Sequence, residues 1–290
     1  MALGYEGWAK MNVNGTEDLV LCTGASIPHS RLRLDSNSGY GGAIKTPAAG
    51  MGIGFPHNYD FVSFAGSLNF EAHAGVITNQ ILPWLFDRQK AASVSFQSRK
   101  DNISNHVECF WNSINLNTSS GSAVEGSLEF TALDFALAQG GDYIGNKTGD
   151  GYLCNAQGGL NIPDPIISNV MIPYWQTSVL ADGSLVEFVS WNLDFSQDIV
   201  QFFVCENNVN PIAPKFLASG PMTVTFTGDY MFVNTSTWAI PDFLSTLRIN
   251  IGTTQIKMKR GERDLDRDDV QTSDSPVPIS VEYTIYELEP

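Results

Sequence analysis

A ladder of short strand-like marks occurs twice in this chain, in the same order, and it constrains the fold more than any other feature. The clearest pair is Ser127-Leu128-Glu129-Phe130-Thr131-Ala132-Leu133-Asp134-Phe135 and Ser280-Val281-Glu282-Tyr283-Thr284-Ile285-Tyr286-Glu287-Leu288. Both alternate apolar with polar residues, the period of a strand that buries one face. Upstream, Ser67-Leu68-Asn69-Phe70-Glu71 answers Trp191-Asn192-Leu193-Asp194-Phe195. Ile81-Leu82-Pro83-Trp84-Leu85-Phe86 answers Ile212-Ala213-Pro214-Lys215-Phe216-Leu217. Ser93-Val94-Ser95-Phe96 answers Thr223-Val224-Thr225-Phe226, and Ile114-Asn115-Leu116 answers Ile249-Asn250-Ile251. Matches in one order, with a proline anchor among them, predict a duplicated β domain: residues 1–145 and residues 146–290.

Composition agrees with a mainly β fold. Hydrophobic residues make up 43% and charged residues only 16%, so each half can bury its own core. Ser, Thr, Asn and Gly take the place of the Lys and Glu that favour helices. The formal charge is −15, with 31 acids against 16 bases. That balance excludes clamping of phosphates and docking on an anionic membrane, both of which need Lys and Arg. It is compatible with a surface past which nucleic acid slides without sticking. Cys22, Cys109, Cys154 and Cys205 are scattered without a C-x-x-C pair, and the setting of Cys109 and Cys205 predicts buried, reduced thiols. The first residues lack a basic region followed by an apolar one, and no apolar run is long enough for a membrane span, so a soluble protein made in a cytosol is expected.

Along the chain, Asp18–Cys22 reads as a strand and Gly39–Gly54 as a long glycine-rich loop. Val76–Lys90 lacks strand alternation, and its apolar spacing fits a short helix with Pro83 in the first turn. Its counterpart would be a shorter one at Pro214–Ser219. Strands are expected at 92–98, 106–116 and 124–135, and again at 185–195, 199–205, 221–228, 246–258 and 278–288. Gln139–Gly159 reads as the joint between halves. Measured from Ile114 to Phe130 and from Ile249 to Tyr283, the second copy is longer by 18 residues, the length of the charged stretch Lys259–Pro276. That stretch is expected as an exposed insertion, able to set a polar contact with a neighbouring subunit through Lys259, Arg260, Glu262, Arg263, Asp264, Asp266, Arg267, Asp268 and Asp269.

Catalytic constellations are thin. His29, His57, His73 and His106 all fall in the first half, with no H-E-x-x-H and no G-x-S-x-G, and read as surface residues. Asp264-Leu265-Asp266-Arg267-Asp268 opens like a calcium loop, but Asp269 stands where glycine is needed and Ser275 where the bidentate acid should be. Gly50–Gly54 lacks the lysine of a phosphate loop. The N-x-S/T triplets read as polar loops. Most tryptophans lie in strand-like apolar patterns and are expected in the core. No enzyme, cofactor or metal is expected.

The two strand-rich units, each with a short helical segment between strands, resemble the tail-tube fold of bacteriophages. The residues that carry the resemblance are Leu68–Phe70, Pro83–Phe86, Ser93–Phe96, Ile114–Leu116 and Ser127–Phe135, with the second set ending at Ser280–Leu288. The resemblance implies two tandem β-sandwich or barrel domains, each with a short helix, and a structural subunit without catalytic residues. It implies rings closed from six domains, here three chains in pseudo-sixfold order, that stack around a channel conducting viral DNA. Partners would be the chain itself and other tail proteins such as sheath, tape measure or baseplate, with DNA passing unbound and no membrane. The location would be the virion tail, assembled in the host bacterial cytoplasm. A baseplate hub or tail adaptor of the same fold is the nearest alternative, and a carbohydrate-binding β-sandwich module the alternative of another class.

Overall fold

The structure is a computed structural model, and its described residues are 9–26, 29–33, 60–87, 92–99, 102–139, 171–204, 214–231, 241–264 and 278–290. One dipeptide shapes its first hairpin. Asn14-Gly15 joins β1 (Ala9–Val13) to β2 (Thr16–Ser26), with φ of 60° and 81°. Such two-residue turns match the twist of paired strands and need residues that tolerate positive φ, as Asn and Gly do. There follow β3 (His29–Arg33), β4 (Asp60–Glu71), β5 (Ala92–Arg99), β6 (Asn102–Ser119) and β7 (Glu125–Gln139).

The pairing of these strands returns on itself. β2 pairs with β1, β1 with β5, β5 with β6, β6 with β7, β7 with β4, and β4 with β2 again, all antiparallel. β3 continues β2 along the same edge of β4. Alternation decides which face is inside: Leu68, Phe70, Leu128, Phe130 and Ala132 are buried, while Ser67, Asn69, Ser127 and Glu129 between them point outward.

A helical segment plugs this ring. A π-helical turn, Val76–Ile81, runs into α1 (Leu82–Phe86), with Pro83 in the first turn where its missing N–H does no harm. It buries Val76, Ile77, Ile81, Trp84 and Leu85. Buried Gln80 ties it to the first hairpin: its Oε1 accepts from the Val13 amide at 3.0 Å, and its Nε2 donates to Thr16 O at 3.0 Å and Asp18 Oδ2 at 2.9 Å. Trp111 Nε1 donates to Trp84 O at 3.2 Å, tying α1 to β6.

The remaining strands repeat the plan. β8 (Thr177–Ala181) turns through Asp182-Gly183, with φ of 48° and 82°, into β9 (Ser184–Val186). Then come β10 (Phe188–Phe203), β11 (Pro214–Met231), β12 (Phe243–Ile251), β13 (Thr254–Arg263) and β14 (Pro278–Glu289). β8 pairs with β12, β12 with β13, β13 with β14, β14 with β11, and β11 with β10, which continues β9 and so returns to β8. This is the first ring's order of connection. One further mark recurs: Glu108 in β6 and Arg260 in β13 each have positive φ, 53° and 56°, and each stands one residue before the partner of Ala132 or Ile285; Glu108 also lies in a bulge against β5. The rings join where β6 residues Ser113–Ser119 pair with β10 residues Ser190–Ser196, making one sheet of 14 strands.

Close aromatic cover stands over glycine in both rings. A Cβ on Gly126 would lie 2.4 Å from Phe70 Cζ, and one on Gly228 would lie 2.4 Å from Phe188 Cε1. Phe70 is fully buried and has no room to yield. Gly126→Ala is therefore expected to destabilise by about 1–3 kcal/mol, read as a lower thermal midpoint. An unchanged midpoint would show that the Phe70 ring swings aside.

The structure corrects several sequence expectations. Pro214–Ser219 opens β11 and is not a helix. The expected strands 185–195 and 199–205 are mostly one strand, β10, and 246–258 is the hairpin β12–β13. Of the ladder, only the match between β7 and β14 pairs equivalent strands. Ile249-Asn250-Ile251 lies in β12, whose counterpart is β5, because each pairs with the first strand of its ring. Lys259, Arg260, Glu262 and Arg263 are not in an exposed insertion but in β13, paired with β12 and β14. The hairpins Asn102–Gln139 and Thr254–Glu289 span nearly equal lengths of chain, so the apparent excess came from measuring from β6 in one half and β12 in the other. Gly39–Gly54, residues 140–159 of the joint and residues 265–277 lie outside the described residues.

Candidate functional site

The outward residues of six neighbouring strands form a continuous polar face that crosses both rings. Register aligns them in rows. One row runs Asn69, Ser127, Asn115, Asp194, Thr225, Thr284 from β4 through β7, β6, β10 and β11 to β14. The next runs Glu71, Glu125, Asn117, Asn192, Thr227, Glu282, and a third runs Ser67, Glu129, Ser113, Ser196, Thr223. The inward residues between them, including Leu116, Leu193, Phe195 and Phe226, are buried, which fixes this face as the wet one.

Its chemistry is narrow. These rows hold short hydroxyl and amide side chains with Glu71, Glu125, Glu129, Asp194 and Glu282, and no Lys, Arg or His. The side chains are laced together across the junction of the rings. Asn117 Nδ2 donates to Asn115 Oδ1 at 2.9 Å, and Asn115 Nδ2 donates to Asn192 Oδ1 at 2.6 Å. Ser190 Oγ donates to Asp229 Oδ2 at 2.6 Å, and Ser196 and Thr223 share a hydrogen bond at 2.6 Å. Such a lattice holds its donors close to the sheet and offers carboxylates outward, which suits a surface that a polyanion passes without adhering.

Glu71 and Glu125 stand directly opposite each other on β4 and β7. Like charges in that position oppose pairing. Glu125→Gln is expected to raise stability by about 0.2–1 kcal/mol at low ionic strength, and less in high salt. A denaturation midpoint that does not rise would show that the pair is not repulsive.

The sequence-derived contact residues fall elsewhere, on the β13–β14 side of the second ring. Lys259 forms an ion pair with Glu289, and Arg260 Nε lies 3.7 Å from Glu287 Oε2. Arg263 Nη2 lies 2.9 Å from Asp242 Oδ1, and Tyr286 donates to Glu262 Oε2 at 2.9 Å. The Lys259 hydrogen bond holds the Glu289 carboxyl below its ordinary range, and the same bond raises Lys259. The bond to Glu262 raises the Tyr286 phenol. Asp264 follows β13, its amide donating to Glu282 O at 3.0 Å, while Asp266, Arg267, Asp268 and Asp269 lie outside the described residues.

Other sequence readings sort as follows. His73 and His106 are buried, contrary to the surface reading; His73 Nδ1 accepts from the Val76 amide, and His106 packs edge-on against Phe130. Cys109 is buried with its thiol pushed up by burial, and Cys22 is a half-buried free thiol. Trp84, Trp111 and Trp191 are core residues, whereas Trp175 is 77% exposed. Among the described residues no cluster of His, Cys, Asp or Glu could hold a metal ion, and no helix is long and apolar enough to cross a membrane. The signal of the polar face is in the alternation itself: Ser113, Asn115, Asn117 and Ser119 fall between the apolar residues of β6, on its solvent side.

No protein-family model and no curated protein matches the chain. Among solved structures, Hcp1 from Flavobacterium johnsoniae aligns at 13% identity with a TM-score of 0.28, over 46% of this chain and 96% of that one.

Proposed function

We propose that the chain is a structural subunit of a bacteriophage tail tube, with each strand ring acting as one tube domain and residues 1–145 and 146–290 as the two units. The observation that carries this reading is the polar face. It crosses the junction of the two rings without a break, and its rows hold acids and no cation. Three chains would set six such units around a channel, and their faces would join into one wall that repels the phosphates of DNA in transit. Rings would stack head to tail and meet sheath, tape-measure or baseplate proteins in the virion. Catalysis has no part in this role.

Electron microscopy of the purified chain, with native mass spectrometry of its assemblies, tests the reading. Rings or tubes with a central channel, built from multiples of three chains, are the expected result. Single rings that never stack would favour a hub or adaptor of the same fold. A chain that stays monomeric at high concentration would overturn both.

A further inference from the structure

The two rings are not equally covered, and the difference identifies a contact surface. β10 continues past Ser196, where its pairing with β6 ends, and β11 begins ten residues before Val224, where its pairing with β14 ends. This two-stranded arm of the second ring lies against the outer side of the first. Gln201 Nε2 donates to Ser63 Oγ on β4 at 2.6 Å, Gln197 Nε2 donates to Trp111 O on β6 at 2.7 Å, and β11 touches both β4 and β7. On the same side, Phe110 and Leu133 point outward beside the Glu108 bulge and are half-buried.

The matching positive-φ residue in the second ring, Arg260, locates the equivalent place. Tyr286 stands where Leu133 stands and Glu262 where Phe110 stands. The described residues leave this place open. It is a groove of about 290 Å³ between Phe243, Ser245, Arg260, Glu262 and Tyr286, with Phe243 69% and Tyr286 63% exposed. The arm of the first ring that corresponds to β10–β11 is the end of β3–β4, whose strand pairings among the described residues all lie within the first ring.

We propose that the groove receives the β3–β4 end of the first ring from a second copy of the chain. Within one chain the second ring's arm covers the first ring; between chains the first ring's arm would cover the second, by the same relation. Charge supports the choice of occupant. β3 carries His29, Arg31 and Arg33 in a chain poor in bases, while the groove is lined by Glu262 and by Arg260, whose charge is offset by Glu287. The contact is head to tail, so it propagates from chain to chain and closes when the rotation allows. This inference rests on the ring reading above and specifies its subunit contact.

The test uses the whole chain in three forms. Phe243→Glu breaks the groove, the double variant Arg31→Glu with Arg33→Glu breaks the arm, and Leu185→Ser removes an equally exposed apolar side chain elsewhere on the second ring. Each is expected to keep the wild-type circular dichroism and thermal midpoint. The groove variant should need about 30-fold or more higher concentration to assemble, and the arm variant should weaken likewise, while Leu185→Ser assembles as wild type. Because each broken chain keeps one sound surface, an equimolar mixture of the two should give dimers by native mass spectrometry although each alone is monomeric. A groove variant that assembles like wild type, or a mixture that remains monomeric, overturns this contact and leaves the ring reading standing. A wild-type chain that never assembles overturns the ring reading itself.

Discussion

Replacing Trp111 with alanine is expected to lower stability by about 3–5 kcal/mol, the largest loss of any single change discussed for this chain. Trp111 is fully buried in the first ring, and three parts of the fold meet on it. Its indole N–H holds the carbonyl of Trp84 at the end of α1, and its own carbonyl accepts from Gln197 of the second ring. Deleting the ring opens a cavity among side chains that cannot all collapse into it, and it removes the indole donor to the Trp84 carbonyl. A domain of ordinary stability, about 5–15 kcal/mol, would lose a large part of its margin. Trp111→Phe separates the two causes, since it keeps most of the apolar volume and removes only the donor; its loss should be nearer 1–3 kcal/mol. Chemical denaturation followed by tryptophan fluorescence and by circular dichroism measures both. Equal losses in the two variants would show that the hydrogen bond, and not the volume, matters at this position.

The same tryptophan shows what the sequence disclosed. Trp84 and Trp111 sit in apolar patterns that predict core positions, and the structure places both there. The helix with Pro83 in its first turn was legible because Val76–Phe86 breaks strand alternation. The mainly β class followed from alternation alone. Strand equivalence was harder, because alternation is the same on every half-buried strand: Ile114-Asn115-Leu116 resembles Ile249-Asn250-Ile251 although one lies in β6 and the other in β12. Turn chemistry would have settled the register. Asn14-Gly15 and Asp182-Gly183 are both strong hairpin signals, and they mark the first hairpin of each ring. The positive φ at Glu108 and Arg260 has no such trace, since neither residue type favours it. Closure of each ring depends on pairing between strands distant in sequence, such as β4 with β7, which no local pattern encodes.

Reversing charge on the polar face is expected to turn a surface that DNA passes into one that holds it. The triple variant Glu125→Lys, Glu129→Lys and Asp194→Lys alters three outward positions on β7 and β10 and leaves the buried alternation intact. Glu125→Lys also replaces the repulsion with Glu71 by attraction, so the fold should tolerate the change. Three new phosphate contacts per chain would give binding whose logarithm falls with log salt at a slope of about −0.9 per contact, roughly 40-fold between 50 and 200 mM. Wild-type protein should show no retention of double-stranded DNA in the same range. Where the DNA lies distinguishes the readings. If the face lines a channel, DNA captured by assembled variant particles is enclosed and resists nuclease over the length of the tube. If the face is external, the DNA is held but digested. Retention by wild type at moderate salt, or capture that nuclease removes completely, would count against a channel wall, because repulsion of phosphate along this polar, cation-free face is the property on which the tube reading depends.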